Sequence, residues 1–277
     1  MGRTREPDLE EGQPGDWVIE AAARTDVGLN RRNNEDAFGS FDDLTLYIVA
    51  DGMGGHAAGE IASSLTVETI HRSLAETPEE DMTAGVDAAG RSSIGGRRLV
   101  MAVKEANARL LGRSRTNPEL HGMGTTVAAI FFDRRCESVA ICHVGDSRVY
   151  RIRDAQIEQL TEDHTVVQQL INEGQMRAEQ RRSSQQRHVL TQAVGASDEL
   201  HPELRLERPQ AGDMFVVCTD GVHDTIEAEE ILQVVLTTGA RLETACGRLI
   251  DLANHRGGKD NSTVLIVRCN RVARDGS

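Results

Sequence analysis

The chain has 277 residues, 39% of them hydrophobic but only 3% aromatic, so any core it buries must be mostly aliphatic. A net charge of −13 argues against a nucleic-acid backbone as main partner, since that binding draws on clustered Lys and Arg. Cys136, Cys142, Cys218, Cys246 and Cys269 form no CxxC pair, and most sit in apolar runs, which fits a reducing compartment better than a zinc or disulfide framework.

Residues 1–15 are charged and rich in Gly and Pro, and are expected to fray as a tail. They lack the apolar stretch of a secretory signal. No apolar run approaches the roughly 18 residues needed to span a bilayer, so a soluble cytoplasmic protein is expected. Trp17–Ala23 reads as a first strand, Thr25–Asp36 as a polar loop, and Leu44–Ala50 as a buried strand ending at Asp51-Gly52. Ala57–Leu74 reads as a helix with Ile61, Leu65 and Ile70 near one face. Thr77–Gly96 is a long connection with four glycines, and Arg97–Leu111 a second helix with Leu99, Val103, Ala106 and Leu110 at helical spacing.

Thr125–Phe132, Ser138–Val144, Arg148–Arg153 and Gln156–Leu160 read as four successive strands in an antiparallel meander. Asp163–Glu173 looks helical. Gly174–Gln210 is polar, basic and irregular, and reads as an appendage. Met214–Thr219 is a strand ending at Asp220-Gly221, Ala228–Leu236 and Arg241–Asn254 are helices, and Ser262–Cys269 closes the chain as a strand. Strands at both ends with helix pairs between them suggest an α+β sandwich of four layers, αββα, in one domain over residues 16–270, followed by a short tail at 271–277.

Three apolar strands end alike, at Asp51-Gly52, Asp146-Ser147 and Asp220-Gly221. Asp260-Asn261 precedes another, and Glu35-Asp36 enters a short segment. One Asp-Gly after a strand is an ordinary turn. Repeated five times at sheet ends, the carboxylates can gather at one edge, where they repel unless protonated or offset by cations. With no His or Cys at these points the ligands are all oxygen, which favours Mg²⁺ or Mn²⁺ over zinc or copper. Two such ions roughly 3.5–4 Å apart suit phosphoester hydrolysis by an activated water, without a Ser, Cys or His nucleophile. Arg31 or Arg32 is placed to hold the phosphate through its planar fork.

Seven motifs in order carry a family resemblance. They are Gly28-x-x-Arg31-x-x-Asn34-Glu35-Asp36, Asp51-Gly52-Met53-Gly54-Gly55-His56-x-x-Gly59-Glu60, Gly122-Met123-Gly124-Thr125-Thr126, Val144-Gly145-Asp146-Ser147-Arg148, Thr161-Glu162-Asp163-His164, Thr219-Asp220-Gly221, and Asp260-Asn261-x-Thr263. Together they resemble the metal-dependent serine/threonine phosphatases of the protein phosphatase 2C type, above all the compact bacterial members. The resemblance implies an αββα sandwich with two Mn²⁺ or Mg²⁺ ions held by Asp36, Asp51, the Gly52 carbonyl, Asp220 and Asp260, with Asp51 bridging them. It implies Arg31 as the phosphate clamp, Glu35 and Asn261 as supports behind the ligands, and Asp146 at a third, weaker ion. It implies a flap over about 174–210, phosphoprotein substrates, an opposing bacterial serine/threonine kinase, and a monomer. Three residues, Met53-Gly54-Gly55, separate His56 from Asp51-Gly52 rather than none, and His56 is the candidate general acid. The flap departs from the family pattern: Ser184-Gln185-Gln186-Arg187-His188 stands where members often carry His-Pro-x-x-Asn.

Two other readings compete. Gly52-Met53-Gly54-Gly55-His56-Ala57 fits a dinucleotide fingerprint, but Glu76, at the distance of the required acid, ends a helix rather than a strand. A non-catalytic phosphoprotein-binding module on the same fold would have lost one of the aspartates, and all five are intact. No P-loop occurs.

Overall fold

The computed structural model describes residues 17–54, 57–76, 85–86, 92–133, 138–239 and 241–271. Strands β1 (Trp17–Asp26), β2 (Asp36–Phe41) and β3 (Leu46–Met53) precede helix α1 (Ala57–Glu76). A two-residue ladder of β4 (Gly85–Val86) with β5 (Ser92–Ser93) leads into α2 (Ile94–Thr116). Then come β6 (Gly124–Thr125), β7 (Val127–Asp133), β8 (Ser138–Val144), β9 (Arg148–Arg153) and β10 (Gln156–Gln159). After α3 (Val166–Asn172) the chain forms β11 (Glu203–Glu207), β12 (Met214–Cys218) and the one-turn α4 (Asp220–His223). It ends with α5 (Ala228–Thr238), α6 (Leu242–His255) and β13 (Ser262–Arg271).

Two antiparallel sheets result, ordered β1-β13-β12-β9-β10 and β11-β8-β7-β3-β2. Period-two alternation on strands buried at both faces explains why they stack. In β3, Leu46, Ile48 and Ala50 face α1 and α2, while Tyr47 and Val49 face the other sheet. In β12, Val216 and Cys218 face α5 and α6, while Phe215 and Val217 face inward. The order is therefore helices, sheet, sheet, helices, as the sequence predicts. Edge-to-face contacts run from Tyr47 to Phe132 to Phe215 across the middle layer, at 6.2 and 5.7 Å between ring centres. Such pairs add about 0.5–1.5 kcal/mol each beyond their buried area.

Two expectations about the sheets need correction. The four strands after residue 125 are not one meander: β7 pairs with β8 and β9 with β10, but β8 and β9 lie in different sheets. The crossing occurs at Gly145, whose φ of +98° is costly for a residue with a Cβ. The 174–210 stretch is not all appendage, since β11 pairs with β8 as the edge of the second sheet. Its sequence ELRLE carries the alternation that explains this, with Leu204 and Leu206 turned toward the close-packed Gly96 of α2. Helix α2 starts earlier than expected because Ser93 caps it, accepting a hydrogen bond from the Gly96 N–H at 3.0 Å. Most of the Thr77–Gly96 connection lies outside the described residues. Among those described, no helix is long and apolar enough to cross a membrane.

Candidate metal centre

The strand-end carboxylates do meet. Asp36 opens β2 directly opposite Asp51 on β3. Asp220 follows β12 and Asp260 precedes β13, and these two strands are paired in the other sheet. Asp51, Asp146, Asp220 and Asp260 line one cleft of about 680 Å³, together with Arg31. Asp36 lies buried against them.

Asp36 is fixed by hydroxyls from the opposite sheet. Its Oδ2 accepts from Thr219 Oγ1 at 2.9 Å and Thr263 Oγ1 at 2.7 Å. Thr263 pairs in turn with Thr25 Oγ1 at 2.7 Å, and Asn34 Nδ2 donates to Thr25 at 2.8 Å. Both bonds fall on one oxygen, so Oδ1 of Asp36 is left buried with no hydrogen-bond partner, as is Oδ1 of Asp220. Buried carboxylate oxygens without donors are costly unless a cation meets them.

The charges agree with this. Burial pushes the Asp36 carboxyl up to about 7 against its two threonine bonds, which lower it. Burial, then the charges of Asp36 and Asp220, push Asp51 well above the usual carboxylate range. Asp146 is raised by burial and by Asp220. Burial raises Asp220 as well, but the His188 and His223 imidazoles outweigh it and hold Asp220 low. Four or five carboxylates packed like this need protons or cations. The oxygen donor set and the two orphaned oxygens fit hard divalent ions.

Gly52 sits here for a steric reason. A Cβ on it would lie 2.1 Å from the Gly59 carbonyl oxygen and 2.6 Å from that of Glu35. Its N–H donates to the Glu35 carbonyl at 3.0 Å. The missing side chain thus lets β3 end against the start of α1 and the 27–35 loop. Asp51 is held through its main chain, its N–H donating to Thr126 Oγ1 at 3.0 Å and its carbonyl accepting from Thr125 Oγ1 at 2.8 Å.

Arg31 reaches the cleft and donates from Nη2 to Asp260 Oδ2 at 2.8 Å. Half of its side chain is exposed, so the rest of the guanidinium fork faces the cleft mouth. Asn261 is a clasp: its Oδ1 accepts from the Glu35 N–H at 2.8 Å, and its Nδ2 donates to the carbonyls of Val27 and Asn33 at 2.9 and 3.0 Å. It therefore shapes the loop that carries Arg31, Glu35 and Asp36. His56 lies outside the described residues. Asp146 is buried on the turn after β8, and His223 Nε2 donates to its carbonyl at 3.0 Å.

Some site residues escape a reading of the sequence. Thr219 and Thr263 lie inside quoted motifs, yet their hold on Asp36 spans 183 and 227 residues. Arg148 and Asp163, from two motifs, form a bidentate pair at 2.8 and 2.7 Å beneath the flap, and Arg181 of the flap joins Asp163 at 3.3 Å. A histidine from elsewhere in the chain also comes near the centre. The returning flap is zipped to the start of α3, with Val166 N–H to the Val189 carbonyl at 2.9 Å and Thr191 N–H to the His164 carbonyl at 2.8 Å. That brings His188 Nδ1 to 3.5 Å from Asp220 Oδ2.

The comparisons with known proteins follow the same lines. The model of the family "Protein phosphatase 2C" matches residues 30–254. The serine/threonine protein phosphatase PstP of Mycobacterium tuberculosis is 36% identical over 250 residues, which are 90% of this chain but 45% of PstP, so the chain spans about half the length of that relative. A putative protein phosphatase 2C-type protein of Streptococcus pyogenes is 36% identical over 255 residues, covering 90% of this chain and 97% of its own length. The PstP catalytic domain solved in complex with two manganese ions superposes with a TM-score of 0.78 at 34% identity, over 92% of this chain and 99% of that one. With the aspartates gathered where two antiparallel sheets meet, and both sequence and fold matched along nearly the whole described length, the chain belongs to the protein phosphatase 2C family.

Proposed function

We propose that this chain is a metal-dependent phosphoprotein phosphatase acting on phosphoserine and phosphothreonine. The observation that carries the reading is the convergence of Asp36, Asp51, Asp220 and Asp260 with two buried oxygens that lack donors. Asp36, Asp51, Asp220, Asp260 and the Gly52 carbonyl would hold two Mn²⁺ or Mg²⁺ ions, and Asp146 would help hold a third, weaker one. Ions bound there supply nucleophile activation and charge neutralisation for in-line phosphoryl displacement.

The protein's own residues do the rest. Arg31 offers its fork to the phosphate at the mouth of the cleft, displacing or sharing its bond to Asp260. Thr219 and Thr263 orient Asp36 so that its free oxygen points away from them. Asn261 keeps the arginine loop in place. The four described cysteines are buried with their thiols pushed up to about 12 by burial, so none of them is a thiolate nucleophile. His56 is the candidate proton donor to the leaving alkoxide. The phosphatase domain runs from β1 to the end of β13 at Arg271, and its flap is the part of the 174–210 stretch that precedes β11. In the cell it would be a cytoplasmic monomer opposing a bacterial serine/threonine kinase.

The test is hydrolysis of p-nitrophenyl phosphate and of a phosphothreonine peptide. Mn²⁺-dependent turnover of both, lost with EDTA, is expected. Full activity after metal stripping, or phosphopeptide binding without turnover, would overturn the assignment.

A further inference from the structure

The polar cleft that holds the aspartates has a small apolar neighbour, where the returning flap meets the end of β3. We propose that this pocket takes one aliphatic side chain of the phosphoprotein substrate, one or two residues from the phosphorylated one, and that Met53, Leu190, Ala193, Ala196 and Leu200 thereby select among substrate sequences. The inference deepens the phosphatase reading above and rests on it.

Met53 and Leu190 wall both spaces, so the pocket continues the catalytic cleft. A peptide with its phosphate at the aspartates passes the pocket within one or two residues, because extended chain advances only about 3.3–3.6 Å per residue. Size then sets the occupant. The pocket holds about 120 Å³. An apolar cavity of about 150 Å³ takes a single benzene ring. There is room for one side chain such as Leu, Ile or Met, and none for an acyl chain or a folded segment. Chemistry sets its class. Two polar groups of the wall are already engaged: Gln192 Oε1 accepts from the His201 N–H at 3.1 Å, and Ser197 Oγ accepts from the Glu199 N–H at 3.3 Å. The surface left to meet a ligand is mainly the apolar one, and burying an aliphatic side chain there is favourable.

The floor of the pocket is preformed. Val194 and Thr125 exchange N–H to carbonyl bonds, both at 2.9 Å. Asn107 of α2 clamps the same segment: its Oδ1 accepts from the Gly195 N–H at 2.7 Å, and its Nδ2 donates to the Ser197 carbonyl at 2.8 Å. Thr125 also holds the Asp51 carbonyl through its hydroxyl, so the pocket and the metal centre share an anchor. The facing wall, Leu190, stands between two residues zipped to the start of α3, Val189 and Thr191. A wall ordered in advance spends little of the binding energy on ordering itself. The aspartates and Arg31 read the phosphate, which every phosphoprotein carries; the pocket reads what stands next to it.

The experiment measures kcat/KM of the Mn²⁺-loaded protein on phosphothreonine peptides. Leu, Ala or Glu is placed in turn at each of the two positions on either side of the phosphothreonine, and p-nitrophenyl phosphate serves as a reference without flanking residues. At one position Leu is expected to exceed Ala about tenfold or more, the scale of apolar side-chain discrimination in a pocket, with Glu no better than Ala. Ala196 is exposed, so Ala196→Phe can fill the pocket without disturbing the core, and should bring the Leu-to-Ala ratio to about 1. Leu190→Lys puts a cation in the wall and should turn the preference at that position toward Glu. Equal rates for Leu and Ala at every position, or a preference that neither substitution moves, would overturn the pocket and leave the phosphatase reading standing. No turnover of any peptide or of p-nitrophenyl phosphate by wild type would sink the phosphatase reading and the pocket's role with it.

Discussion

The Asp36 corner of the centre and the Asp220 corner are held by different kinds of bond. Asp36 is fixed by a relay of short hydroxyls, Thr219, Thr263 and Thr25, all on or next to strands of the first sheet and all within 2.7–2.9 Å of their partners. At the other corner, His188 and Asp224 are partly exposed, the contacts run to 3.4–3.5 Å, and the support is the Arg148–Asp163–Arg181 strut under the flap. Threonine is β-branched and stiff, and a strand fixes its direction. Long charged side chains from a flap lose more entropy on ordering and tolerate movement. One corner thus sets ligand geometry, and the other lets the mouth of the cleft adjust.

The largest effect is expected where the corners share a ligand. Asp220→Asn should lower turnover of p-nitrophenyl phosphate by roughly 10²–10³-fold, the scale of losing one main electrostatic contribution; steady-state assays at saturating Mn²⁺ check it. Next comes the strut. Asp163→Ala strands the nearly buried Arg148 and should cost about 3–5 kcal/mol, read as a fall in denaturation midpoint. The same residue carries a pH signature. Burial raises the Asp163 carboxyl, but Arg148 outweighs it and holds the value below its ordinary one. A carboxylate depressed in the folded state stabilises above its unfolded value, about 4, and loses that contribution as pH falls through the folded value. Wild type should therefore lose stability below about pH 4, and Asp163→Asn should show a shallower loss in acid titrations followed by circular dichroism.

The sheet corner should respond through metal affinity rather than stability. Thr263→Val keeps the shape and removes one donor to Asp36, and should weaken Mn²⁺ binding about 10–100-fold by calorimetry. An unchanged affinity would show that Thr219 alone orients Asp36. The smallest effect is expected at the flap surface. Arg187 lies 3.8 Å from Asp224, with both side chains well exposed, so Arg187→Ser should change stability by less than about 1 kcal/mol.

Much of the centre was legible in the chain because it rests on local rules. An apolar run that stops at Asp-Gly marks the end of a buried strand: β12 ends before Asp220 as that rule has it, whereas β3 runs on through Asp51-Gly52 to Met53 because β6 pairs with it there. Helix faces such as Leu99, Val103, Ala106 and Leu110 are set by the 3.6-residue period, and all four are buried in the helix-side core. The seven ordered motifs also pointed to the family and to Arg31, which the structure places in the cleft.

What only the tertiary structure decided depends on where a strand goes after it turns. Local alternation predicts β8 and β9 as strands but is silent on their separation into two sheets, because the turn at Gly145 redirects the chain without altering the pattern on either side. The edge strand β11 was hidden in a polar stretch, since an edge needs only Leu204 and Leu206 to face inward. The threonine relay, the Asn261 clasp and the approach of His188 to Asp220 all join residues far apart in the chain, and sequence periodicity carries no information at that range. The sequence by itself determined which residues end strands and which oxygens are available. The packing of one sheet on the other, with the return of the flap, decided which of those groups share a site.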